Sequence, residues 1–203
     1  MKARDAYHHG NLRQALIRSS LELIRETGPA GFTLREIARR AGVSHTAPYR
    51  HFKDKDDVLA AVAEQGFREL RATMLRAIEP LRGASKRIER CGVAYVEHAL
   101  KHPDHFDVMF LQGWDPRTEA GVAAGAAFQV LLDLVLECQS AGVLPKADPL
   151  VQARTAWALV HGVATLGIHE QFRTRKVAEL LNFAASATAA IIRGMQPLPR
   201  ART

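Results

Sequence analysis

The stretch TLREIARRAGVSHTAPYRHFKDK, residues 33–55, decides the fold of this 203-residue chain. Thr33 and Glu36 stand at capping-box spacing: the Thr hydroxyl accepts from the Glu36 amide, and the Glu carboxylate reaches back to the Thr33 amide. Such a pair starts a helix abruptly, and the inward face of this one is Leu34, Ile37 and Ala38. Ala38 is small enough to admit a second helix at close range. Ala41-Gly42-Val43 makes the turn, with Gly42 free to adopt a left-handed conformation and Val43 plugging the corner. A second short helix follows and ends by Phe52. Ser44 is placed to cap it, or Thr46, because Pro48 limits how far upstream that helix begins. Ala47 and Phe52 pack inward, which leaves His45, Thr46, Tyr49 and His51 at or near the exposed side.

Two short helices joined this way can lay the second one in the major groove of a duplex. His45 and Thr46, in its first turn, then face base edges, while Tyr49, His51, Lys53 and Lys55 suit backbone oxygens. Thr33, at the positive end of the preceding helix, adds a phosphate contact. Arg35, Ser44 and Ala47 complete the candidate DNA-facing set. Charge points the same way. Residues 1–55 carry 11 basic and 5 acidic side chains, so most of the net +7 sits there and the rest of the chain is nearly neutral. A basic segment on a neutral body fits a polyanionic partner, although charge alone fits a solvated basic face equally well. Lys2, Arg4, His8 and His9 precede the first helix as a mobile tail or as an arm for the adjacent minor groove.

Elsewhere the apolar residues recur at three- and four-residue steps, as in Leu59, Val62, Phe67, Leu70, Met74 and Ile78. No long period-two alternation occurs, so the chain reads as all-α. Punctuation predicts about nine helices: Asn11–Thr27, ending at Gly28-Pro29, two short ones between Leu34 and Phe52, then Asp54–Ala77, Ser85–His102 and Pro103–Leu111. Thr118–Ser140, Pro149–Phe172 and Lys176–Gly194 follow. The segment Gly121–Leu136 is the most apolar, but too short and too polar to span a bilayer, and it reads as a buried helix. The domains expected are a helix-turn-helix head over residues 1–56, a helical bundle over 57–196, to which the resemblance named below assigns ligand binding and dimerisation, and a disordered tail over 197–203.

Cys91 and Cys138 are too few for a disulfide framework and read as small buried hydrophobes in a reducing compartment. His98, His102 and His105 have suggestive spacing, but Pro103 interrupts their helix and no further ligand completes a metal set. His169-Glu170 lacks a second histidine, and no phosphate-binding loop, dinucleotide fingerprint or nucleophile elbow appears. The expectation is a cytoplasmic protein that is not an enzyme and carries no cofactor, metal or membrane span.

Together these pieces closely resemble, over Leu12–Val62, the DNA-binding domain of the tetracycline-repressor (TetR) family. The resemblance lies in a first helix ending Glu26-Thr27-Gly28, then Thr33-Leu34-Arg35-Glu36-Ile37-Ala38 and Ala41-Gly42-Val43-Ser44. It continues through Tyr49-Arg50-His51-Phe52, Lys55 and Leu59, with Pro48 standing where many members carry a bulky aliphatic residue. Further on, His102-Pro103-Asp104-His105-Phe106 and Trp157-Ala158-Leu159-Val160-His161-Gly162 resemble segments found in many members. The resemblance implies that Tyr49, His51 and Lys55 contact phosphates while His45 and Thr46 lie near bases. It also implies a homodimer on a near-palindromic operator, acting as a repressor released by a small apolar ligand. Candidate residues for that ligand are Phe106, Met109, Phe110, Trp114, Phe128, Leu132, Trp157 and His161. Two other readings stay open: a DNA-binding regulator without a small-molecule effector, and a ligand-binding bundle that no longer reads DNA.

Overall fold

A computed structural model of the chain describes residues 9–174 and 176–195. The expected disordered tail, and the N-terminal Lys2, Arg4 and His8, lie outside the described residues, as does the side chain of His9. Among the described residues there are eight α-helices, one short 3-10 helix and no strand. In order they are α1 (His9–Thr27), α2 (Leu34–Arg40), a 3-10 turn (Pro48–Arg50), α3 (Lys55–Ile78), α4 (Ala84–Lys101), α5 (Pro103–Met109), α6 (Glu119–Ser140), α7 (Pro149–Ile168) and α8 (Val177–Gly194).

The chain divides into two compact units. The first takes in the residues up to Gly66 together with Asp104–Gly121, and the second holds Phe67–Pro103 together with Val122 onward. The first division therefore falls inside α3 rather than at residue 56, and α5 with the loop after it joins the N-terminal unit.

In the first unit α1 buries Leu16, Ile17, Leu23 and Ile24, while α2 buries Leu34, Ile37 and Ala38. The capping box forms as expected: Thr33 N donates to Glu36 Oε2 at 2.8 Å and Glu36 N donates to Thr33 Oγ1 at 3.3 Å. Gly42 closes α2 at φ 67°. Val43 N donates to Ala38 O at 3.0 Å and Gly42 N to Arg39 O at 3.3 Å, the paired bonds of a Schellman ending. Arg40 grips Glu26 through both guanidinium nitrogens at 2.6 Å, tying α2 to α1. That hydrogen bond also holds the Glu26 carboxyl below its ordinary range.

The expected second short helix shrinks to the single 3-10 turn. Pro48 has no N–H to donate to Ser44 O, so the segment closes through i+3 bonds instead, Ala47 N to Ser44 O and Arg50 N to Ala47 O. Neither Ser44 nor Thr46 caps it. Their hydroxyls lie 3.2 Å from each other, and Ala47 occupies the cap position without a side-chain bond.

In the second unit α4, α7 and α8 pack on one another. Small residues set how closely. A Cβ on Gly92 of α4 would stand 2.8 Å from Thr188 Oγ1 of α8 and 3.2 Å from Val160 Cγ1 of α7. Cys91 and Cys138 are both buried and free, and burial pushes the Cys91 thiol up to about 12. Helix α7 stops four residues short of the expected Phe172, where Glu170 takes a left-handed φ of 54°.

Helix α6 corrects the expectation for Gly121–Leu136. It runs 22 residues, long and apolar enough by length and composition to cross a membrane, and only 33% of its most apolar window is buried. One face, with Ala123, Ala127, Val130, Leu134 and Cys138, is core. The other exposes Val122, Gly125, Gln129, Asp133 and Leu136, and Gln129 donates to Asp133 at 2.8 Å.

Candidate nucleic-acid interface

The capping box and the Schellman turn fix the direction in which the chain leaves α2, and residues 44–50 follow from that exit. Ser44, His45 and Thr46 are all exposed in succession. Pro48 is fully buried and anchors the turn from below, a packing role that its place in the motif did not announce. Tyr49 projects from this anchor with 54% of its surface exposed, an unusual position for a large aromatic beside a well-filled core. Thr33, Arg35 and Lys53 are exposed as well, while Ala47, His51 and Lys55 are half-buried.

Two bonds hold the far end of this surface. Lys53 N donates to Asp57 Oδ2 at 2.9 Å and Asp57 N donates to Asp54 Oδ1 at 2.9 Å, a reciprocal cap that starts α3 beside the turn. Lys55 differs from a simple phosphate-facing lysine. Its Nζ donates to Ala30 O at 3.0 Å and lies 5.4 Å from the centre of the Phe32 ring, so it also clips the α1–α2 connection to α3. His51 lies in a cleft of about 180 Å³ with Arg13, Phe52, Asp57 and Glu64, closed on one side by Thr118, Glu119 and Ala120. Arg13 pairs with the buried Glu64 at 3.6 Å and lies 5.7 Å from the Phe52 ring centre. Nothing in the sequence reading singled out Glu64. Its only signal was a carboxylate on the apolar side of a helix.

The eight candidate ligand residues fall into two groups, one in each compact unit. In the first, Phe106 and Met109 are buried in α5, the rings of Phe106 and Phe110 are 4.8 Å apart, and Trp114 Nε1 donates to Met109 O at 2.8 Å. Met109 lies on Gly66, where a Cβ would stand 2.5 Å from its sulfur. In the second, Phe128 meets Trp157 edge-on at 6.1 Å, and Trp157 lies 5.5 Å from His161. Leu132 is half-buried one turn along α6 from Phe128.

Tyr95 of α4 completes this second group and was missed from sequence. Trp157 Nε1 donates to Tyr95 Oη at 3.3 Å, and Tyr95 Oη lies 2.9 Å from His161 Nδ1. Tryptophan can only donate, so the assignment that satisfies all three groups sends the tyrosine proton to His161 Nδ1. Burial raises the Tyr95 hydroxyl well above its ordinary range and holds His161 below the ordinary histidine value of 6.5. Both shifts keep the cluster neutral. As pH falls below 6.5 the unfolded chain takes up the His161 proton first. The stability that the neutral ring contributes is therefore fully present above that value and is lost as pH falls towards the folded one. Between about pH 7.5 and about pH 5.5 the melting temperature should fall more steeply for the natural chain than for His161→Gln. Parallel profiles would remove His161 from this linkage.

Comparison with known proteins agrees with this geometry. Residues 16–62 match the model for bacterial regulatory proteins of the tetR family, and residues 88–189 match the tetracyclin repressor-like C-terminal domain. Tetracycline repressor protein class C of Escherichia coli is 48% identical over 52 residues, which is 26% of this chain and only 24% of that protein. A protein of unknown function from Rhodococcus sp. RHA1 is 33% identical, with 96% of this chain and 100% of that one covered at a TM-score of 0.81. FadR from Bacillus subtilis, solved in complex with stearoyl-CoA, shares the fold at a TM-score of 0.73 and 16% identity, with 90% and 99% covered. With both models matched in order over an all-α chain whose head is a helix-turn-helix, this protein belongs to the TetR family of DNA-binding transcriptional regulators, which are not enzymes.

Proposed function

We propose that the chain acts as a homodimeric repressor on a near-palindromic operator and leaves it when a small apolar ligand binds. The observation that carries the reading is the exposed run Ser44-His45-Thr46 with Tyr49 projecting beside it from the buried Pro48. His45 and Thr46 read base edges. Thr33, Arg35, Ser44, Ala47, Tyr49, His51, Lys53 and Lys55 meet the sugar-phosphate backbone, with Lys55 also bracing α3. Dimerisation is supported by large apolar side chains left exposed on α7 and α8: Val151 at 58%, Leu166 at 45%, Val177 at 53% and Phe183 at 48%. The ligand contacts the aromatic groups around Phe106, Met109, Phe110 and Trp114 and around Phe128, Leu132, Trp157 and His161, where Tyr95 joins the polar cluster. FadR with its stearoyl-CoA supports compounds that carry an apolar acyl chain as the class to screen first. The work of the protein, on this reading, is done on cytoplasmic DNA.

The test is operator affinity as a function of salt. Neutralised phosphates release counterions, so the logarithm of the affinity should fall linearly and steeply with the logarithm of salt concentration. Absent or salt-insensitive binding would remove the DNA-reading role and leave a ligand-binding bundle.

A further inference from the structure

Residues 104–121 belong to the same compact unit as the helix-turn-helix, and two contacts and one shared cleft relate them to it. Arg25 of α1 reaches Asp104 Oδ2 at 2.7 Å, Met109 lies on Gly66, and Thr118, Glu119 and Ala120 close the cleft that contains His51. That wall of the cleft is an internally hydrogen-bonded piece of chain. Thr118 Oγ1 donates to Asp115 O at 2.7 Å and accepts from Gly121 N at 3.2 Å, while Arg117 chelates the Asp115 carboxylate. Gly121 is required for the fit, because a Cβ there would stand 2.0 Å from Asp115 O. Asp115 directly follows Trp114, a candidate ligand residue whose indole is tied to Met109 O. On the other side of the cleft His51 ends the 3-10 turn, its N–H bonded to Pro48 O at 2.9 Å. His51 and Tyr49 thus share one hydrogen-bonded turn.

We propose that the Asp115–Gly121 cap is a positioning element for the DNA-reading turn. Seated against the cleft, it holds His51 and the turn above Pro48 in the DNA-competent arrangement, and a ligand that moves Trp114 unseats it. The inference rests on the DNA-reading proposal, but its coupling step can be read without DNA.

The experiment compares the natural chain with Gly121→Ala, Thr118→Val and Gly125→Ala. Gly125 is the control, on the same helix with nothing within 4 Å of an added Cβ. Gly121→Ala and Thr118→Val should each weaken operator binding by roughly tenfold, within the range of known couplings, while Gly125→Ala leaves it unchanged. In a His51→Ala background Gly121→Ala should add little further loss, since on this proposal the two act across one cleft. Hydrogen exchange at the His51 and Phe52 amides, both bonded to Pro48 O, should speed up in Gly121→Ala and not in Gly125→Ala. Unchanged affinity in the two cap variants, equal loss in Gly125→Ala, or full additivity with His51→Ala would overturn the proposal. If Gly121→Ala fails to fold, Thr118→Val carries the same comparison. If the natural chain binds no duplex, the DNA-reading proposal falls, and the exchange measurement alone then decides whether the cap is coupled to the turn.

Discussion

Replacing Leu166 and Phe183 together with glutamate should convert a dimer into monomers and lower operator affinity by a factor on the order of a hundred to ten thousand. Leu166 is 45% exposed on α7 and Phe183 is 48% exposed on α8, and neither has a polar reason to sit in water. In a dimer formed through these helices each carboxylate would be buried without a cation, which costs several kcal/mol per protomer. A monomer then reads one half-site at a time and loses the gain in effective concentration that joins two heads to one operator. Sedimentation and operator titration on the same preparations measure both effects. Val122→Glu is the control, since Val122 is 61% exposed on α6, outside the proposed interface. A double variant that stays dimeric and keeps its affinity would place the interface elsewhere.

The second large effect separates base reading from backbone contact. His45→Ala should cost about 1–3 kcal/mol on the preferred operator and much less on other sequences, so that base preference relaxes. Tyr49→Ala should weaken binding to all sequences alike, because a hydroxyl on a phosphate carries no base information. Affinity measured on a panel of duplexes with single base changes distinguishes the two. Equal loss in both variants with unchanged preference would take base reading away from His45.

Local chemistry is legible in the sequence. The Thr33–Glu36 box, the left-handed Gly42 and the burial of Leu34, Ile37 and Ala38 all depend on residues within one turn of each other, and all appear as expected. The second α-helix is replaced by a 3-10 turn for a local reason. Pro48 limits the helix start, and its missing N–H also removes the one i+4 bond that a helix starting near Ser44 needs first. Apolar composition does not say which face of α6 is covered. Its alanines are buried on one side, while Val122 and Leu136 stand on the other.

Long-range pairing was not legible. Trp157 and His161 were named from the resemblance, but Tyr95 joins them only because α4 packs against α7, across more than sixty positions of sequence. Glu64 is a carboxylate on the apolar side of α3 whose partner, Arg13, comes to it from α1. The segment Asp115–Gly121 reads in sequence as a loop and the start of a helix, and the cleft that it shares with His51 follows from the tertiary placement of α5 and the loop after it.

The central claim is that the chain is a two-headed reader of duplex DNA, and the most direct measurement is selection of random duplexes by the purified protein, with the bound fraction sequenced. The account predicts a near-palindromic consensus whose half-site centres lie about one duplex turn apart, roughly 34–36 Å, enriched at low salt and lost at high salt. No enrichment at low salt would contradict it.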